Sequence, residues 1–93
     1  MPHISSHASC RIQKRSIPPI VINWLHDYGS RMFDGRGAVI RYFDRAAKTR
    51  LTRLCGHRFV QRNKKYLAVY MVEDAAGHSV ITVGYRHRRI RRR

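Results

Sequence analysis

Residues 65–86 read KYLAVYMVEDAAGHSVITVGYR, two runs of strand formers either side of DAAG (74–77). The first run, KYLAVYMVE (65–73), is nearly continuous in β-forming residues, which predicts a central strand. DAAG supplies a turn, and HSVITVGYR (78–86) returns as the antiparallel partner. Strict alternation puts His78, Val80, Thr82, Gly84 and Arg86 on one face and Ser79, Ile81, Val83 and Tyr85 on the other. The second set is the more apolar, so Tyr85 reads as core and shares a site with Arg86 only at the sheet edge.

Upstream of this hairpin, HRFVQR (57–62) suits a strand or a helix. Asp44 is placed to cap a helix over RAAKTRLTRLC (45–55), with Ala47, Leu51 and Leu54 inward and Gly56 ending it. AVIRYF (38–43) reads as a strand entered from the turn DGRG (34–37). SIPPIVINWLHDYG (16–29) reads as a helix: Pro18 and Pro19 suit a first turn, Ile20, Trp24 and Tyr28 form one row, and Gly29 fits the C′ position. SSHASCRIQKRS (5–16) reads as a helix with a narrow apolar stripe of Ile4, Ala8 and Ile12. His7, Arg11 and Arg15 recur at the same step on a neighbouring face, free to stay wet. The short proline break predicts that these two helices pair as a hairpin.

The sum is an α+β domain over residues 1–86, with two N-terminal helices and a third packed on one face of a small antiparallel sheet whose other face is open. Trp24, Tyr28, Phe43 and Tyr66 are expected in the core. Phe59 and Tyr85 are the candidates for an exposed aromatic that stacks a base. Residues 87–93 read as a disordered basic arm.

The 93 residues hold 20 Lys and Arg against five Asp and Glu, a net charge of +15. Six of the arginines lie in residues 86–93, yet the body is strongly basic without them. Such a field repels copies of itself and attracts polyanions: nucleic acid first, an acidic protein second, an anionic membrane surface a distant third. Phosphate neutralisation is sequence-blind, so charge alone carries no specificity. No apolar run approaches the roughly 18 residues of a membrane span. MPHISSHASC lacks the apolar segment of a secretory signal, so a cytoplasmic setting with Cys10 and Cys55 reduced is expected.

HASCRIQKRSI (7–17) resembles the H-A-x-x-R-x-x-x-R-x-I opening of a group of small bacterial proteins. IPP at the start of the second helix, YG at its end and VITVGYR (80–86) also look like that group, so the resemblance runs from about His7 to Arg86. The group is similar in expected architecture to RelE-like and ParE-like toxins, two N-terminal helices against an antiparallel sheet. RelE-like toxins cut RNA without metal, whereas ParE-like relatives act on gyrase, so the likeness does not choose the chemistry. It does imply a small acidic antitoxin as partner, and RNA rather than DNA as target. RelE-like enzymes carry basic residues and often a tyrosine on the sheet, and Tyr85 and Arg86 sit in the comparable place. The chain departs from them in its arginine tail and in lacking a clear acid–base pair on its strands.

Metal-free RNA cleavage needs a base for the 2′-hydroxyl, an acid for the leaving 5′-oxygen and cations for the charge building on phosphorus. Histidine suits the first two tasks and arginine the third. His7, Arg11, Tyr85 and Arg86 are therefore the candidate catalytic set. Arg15, His87, Arg88, Arg89, Arg91, Arg92 and Arg93 are the candidate phosphate-binding set. The plain alternatives are a solvated helix face for His7, Arg11 and Arg15, and a core role for Tyr85. His3, His7 and Cys10 fall at helical ligand spacing, with Cys55 and His57 as further donors. No CxxC pair or nearby carboxylate completes that set, and neither metal nor cofactor is expected. Three functions follow: a RelE-like ribonuclease, a non-catalytic nucleic-acid-binding protein, or a protein docking an acidic partner.

Overall fold

The computed structural model describes residues 3–76 and 78–86. The expected hairpin stands at its centre: β4 (Val69–Asp74) pairs antiparallel with β5 (Ser79–Tyr85). β4 is the middle strand of a five-stranded sheet ordered β1-β5-β4-β3-β2. It differs from the expected strand in two ways. KYLA is not extended: Lys64–Ala68 form a 3₁₀ turn that leads into β4. The strand also alternates, with Val69, Met71 and Glu73 buried and the residues between them half-buried, because helices cover only one face of the sheet.

β5 departs from strict alternation as well. Val72 pairs with Thr82 but Glu73 pairs with Val80, so Ile81 is an extra, bulged residue. The bulge turns Val80, Val83 and Tyr85 toward the helices and leaves Ile81 exposed. It also creates an anchor for the chain's beginning. Ser5 N–H donates to Val80 O (3.0 Å) and Ser5 Oγ–H to Ile81 O (3.0 Å). Beside it, β1 (His3–Ile4) lies parallel to β5, so the sheet is mixed rather than antiparallel. Two residues are too short to show a period, which is why β1 is invisible in the sequence.

Ser5 also caps α1 (Ser6–Lys14), its Oγ accepting from Ala8 N–H (3.1 Å). α1 packs on β5 but fully buries only Ala8, with Ile4 and Ile12 half-buried. α2 (Pro19–Tyr28) buries Val21, Ile22, Trp24 and Leu25 against β3, β4 and α3. At about 1.5–3 kcal/mol for each large buried side chain, α2 is far more firmly seated than α1. The two helices pack mainly on the sheet rather than on each other, so they do not form the expected hairpin. Gly29 ends α2 with extended dihedrals (φ −65°, ψ 146°), not in the left-handed region of a C′ glycine. Its requirement is space: a Cβ there would lie 2.5 Å from Leu25 O.

β2 (Ser30–Phe33), unforeseen because SRMF is short and half polar, forms a hairpin with β3 (Ala38–Tyr42). Asp34 holds the turn, its Oδ1 accepting from Arg36 N–H (2.6 Å) and Ala38 N–H (3.0 Å). Asp44 caps α3 (Arg45–Cys55), accepting from Ala47 N–H (2.9 Å) and from Ser30 Oγ–H (2.6 Å). Gly56 (φ 89°) ends α3 and starts α4 (His57–Arg62), which resolves the ambiguous stretch as helix. Leu54, expected inward, is 61% exposed. The inward line of α3 steps by four through Ala47, Leu51 and Cys55, drifting about 40° at each step, and by the last turn Cys55 faces in while Leu54, about 100° from Cys55, faces out.

The core gathers Phe43, Leu51, Val60, Met71 and the α2 residues between the helix layer and one face of the sheet. Tyr28 and Tyr66 pack at its margin, and Trp24 and Phe43 are buried, as expected. On the opposite face, Met32, Ile40, Tyr70, Val72 and Thr82 are half-buried. The fold is therefore α+β, with four α-helices and a five-stranded mixed sheet among the described residues.

Candidate functional site

Four of the five acids are drawn into the fold, while Asp27 is exposed. Asp34 holds a turn, Asp44 caps α3, and Asp74 Oδ1 accepts from His78 N–H (2.7 Å). Glu73 is buried, and both ion pairs seen among the described residues end on it. The cations go the other way. Arg45, Lys48, Arg50 and Arg53 on α3, Arg58 and Arg62 on α4, and Lys64 and Lys65 in the 3₁₀ turn are all exposed. No acid occurs between residues 45 and 72. The α3–α4–3₁₀ layer is therefore strongly cationic, with eight exposed Lys and Arg and no acid.

The resemblance would put basic residues on the sheet. Among the described strand residues, the open face carries no Lys or Arg. The strand arginines, Arg31 and Arg41, are register partners and both face the helices. His7 is exposed in the first turn of α1, Arg11 is half-buried and Arg15 is exposed at the C-cap. Tyr85 packs against the core, the plainer of its two expected roles. Arg86 is tied to the end of the sheet: its N–H donates to Ala68 O (2.8 Å) and its Nη2 to Phe43 O (2.5 Å). Its guanidinium thus reaches from β5 toward the end of β3, while α1 starts at the opposite side of β5. Among the described residues, no hydrogen bond, ion pair or ring contact joins His7, Arg11 or Arg15 to Tyr85 or Arg86. His87, Arg88, Arg89, Arg91, Arg92 and Arg93, and with them the expected arm, lie outside the described residues. Among the described residues no three His, Cys, Asp or Glu side chains gather as a metal site requires.

The structure does assemble a cluster that the sequence reading missed. On the helix side of β4, Glu73 Oε2 lies 3.3 Å from His26 Nδ1, and Glu73 Oε1 lies 3.7 Å from Arg41 Nη1. Arg41 Nε donates to Leu25 O (3.0 Å), and its Nη2 donates to His26 O. From α3, Arg50 donates to Tyr28 O through Nε (3.2 Å) and Nη2 (2.9 Å). Two guanidinium groups thus satisfy the last carbonyls of α2, where the helix dipole is negative. Burial pushes the Arg41 pKa down and Glu73 opposes the shift; an arginine remains charged regardless. Arg31 also adjoins Arg41, and the His26 side chain is about one-third open to solvent.

A signal for this cluster was present. Glu73 falls on the inward line of β4 after Val69 and Met71, and Arg41 falls between Val39 on β3 and Phe43 just beyond its end. Charges at core positions must be paired. Chemically, if Nδ1–H donates to Glu73, Nε2 of His26 is left as an acceptor on a fixed ring, the arrangement of a carboxylate-oriented base.

Compared with family models, curated proteins and solved structures, the chain matches none. Among the described residues no helix is long and apolar enough to cross a membrane.

Proposed function

We propose that this protein binds nucleic acid through its cationic helix layer. One observation carries the reading: four of the five acids are consumed by turns, a cap and a buried ion pair, while eight cations of residues 45–65 are exposed. A surface so divided releases counterions from a phosphate backbone. Affinity for an RNA oligonucleotide should therefore fall linearly in a plot of log K against log salt, with a slope of about −0.7 per phosphate neutralised on a single strand. Binding that does not respond to salt would refute it.

Cleavage of that RNA, as in RelE-like toxins, is the second reading, and the imidazole of His26, held by Glu73 next to Arg41 with Arg31 and Arg50 in turn close to Arg41, favours it. The held imidazole would take the 2′-hydroxyl proton as the 2′-oxygen bonds to phosphorus, the P–O5′ bond would break with the 5′-oxygen protonated from solvent water, and the arginines would hold the phosphate oxygens. RNA incubated with the protein in EDTA tests it. Scission that vanishes in His26→Ala and survives in His7→Ala supports His26 as the base. The opposite pattern restores the His7 site, and intact RNA at high protein excess leaves binding alone. Under the toxin reading a small acidic protein is the expected partner, and it should co-purify with the chain from its native cells.

A further inference from the structure

The cationic layer also holds two exposed apolar side chains at the α3–α4 corner, Leu54 and Phe59. Phe59 is 41% exposed, yet it is not loose: its ring meets that of buried Trp24 edge-on, centroids 5.6 Å apart and planes at 79°. Arg58 precedes it, and Arg62 stands one turn on, at the i+3 spacing that makes helix neighbours; both are exposed. Phe33, the most exposed aromatic, differs because the Arg31 guanidinium lies over its ring at 5.7 Å. A braced, uncovered phenyl ring among arginines suits a ligand that alternates anionic groups with flat apolar faces. Unpaired nucleotides have that form, whereas a duplex hides its base faces inside the stack.

We infer that the α3–α4 corner binds single-stranded nucleic acid, Phe59 stacking on one unpaired base while Arg58 and Arg62 hold the flanking phosphates. The inference rests on the nucleic-acid reading above and adds to it a substrate class and a stacking residue. An acidic protein inserting an apolar side chain beside Phe59 is the rival occupant.

The test compares a labelled oligouridylate with an RNA hairpin duplex of equal charge, by fluorescence anisotropy at two salt concentrations. Phe59→Leu keeps an apolar contact for Trp24 and removes the aromatic face; Phe59→Tyr keeps the face and checks the fold. Phe59→Leu should weaken single-strand binding roughly 5- to 100-fold and leave duplex binding unchanged, with Phe59→Tyr near wild type. Arg62→Ala should weaken both ligands alike and flatten the salt slope by about one phosphate. Trp24, the sole tryptophan, should change its emission with the single strand only. Equal losses on both ligands, or none, in Phe59→Leu would overturn the inference while leaving salt-dependent binding intact. Loss of acidic-protein capture in Phe59→Leu with single-strand affinity unchanged would also overturn it, in favour of the rival. If the wild type binds neither RNA, the parent reading fails instead.

Discussion

At the scale of single residues, Glu73 is the side chain on which most depends. It is 2% exposed, and it faces Arg41, itself buried, and the ring of His26. An exposed ion pair contributes at most about 1 kcal/mol. Removing one partner of a buried pair costs about 3–5 kcal/mol, because the other charge is left without compensation. Glu73→Gln keeps the shape and removes the charge, so it should destabilise the protein by about 3 kcal/mol in urea unfolding. Arg41 retains its carbonyl partners in that variant, which places the expectation at the low end. A Glu73→Gln curve that overlays the wild type would show that the pair adds nothing net. Gly29→Ala should also destabilise, since its methyl would displace Leu25 O, a carbonyl already accepting from Gly29 N–H and Arg41 Nε.

At the scale of elements, two chain reversals lend themselves to measurement. α1 ends through Ser16, whose φ of 52° lies in the left-handed region. Its N–H bonds Gln13 O (3.2 Å), and Ile17 N–H bonds Ile12 O (3.0 Å), closing the helix. A residue with a Cβ pays about 1–2 kcal/mol there, partly offset by the greater chain entropy of glycine when unfolded. Ser16→Gly should thus stabilise by about 0.5–1 kcal/mol and raise Tm by roughly 3–6 °C in a domain of this size. An unchanged or lowered Tm would mean that the serine bears no strain. In the β2–β3 turn, backbone N–H bonds from Arg36 and Ala38 hold the Asp34 carboxyl below its ordinary value of 3.8. A depressed folded pKa gives stability that is fully present above the unfolded value and lost as pH falls through the folded one. Wild-type stability should therefore decline below about pH 4 more steeply than that of Asp34→Asn, which has no carboxyl to protonate there. Parallel pH profiles for the two proteins would remove this contribution.

At the scale of the whole molecule, charge is partitioned rather than merely abundant. Four of the five acids hold the fold, and most of the described cations are exposed. The arginines of residues 87–93 add to the net charge, but the rest of the chain is strongly basic without them. Removing those residues should lower the salt slope by up to about 3.5, from five arginines at 0.7 each on a single strand, and still leave measurable binding by the helix layer. Complete loss of binding in that truncation would move the interface to the tail and away from α3 and α4.

Local rules in the sequence determined the central hairpin, the Asp44 cap, the Asp34 turn, the end of α2, the boundaries of α3, and the basic character of the chain, while α2 starts at Pro19 rather than at Ser16. Each depends on neighbours a few residues apart, where capping, turn chemistry and periodicity act. Only the tertiary structure decided the rest. The parallel β1, the bulge that turns Ile81 out and Val80 in, and the seating of α1 and α2 on the sheet instead of on each other all arise from partners tens of residues away. The same holds for the site. His7, Arg11 and Arg15 were visible as one helix row, but Arg86 reaches the carbonyl of Phe43 rather than that row. His26 and Glu73, 47 residues apart, meet because α2 crosses β4 where an inward carboxylate required a partner. A buried charge selects its counterpart through space, and sequence spacing holds no record of which groups burial will bring together.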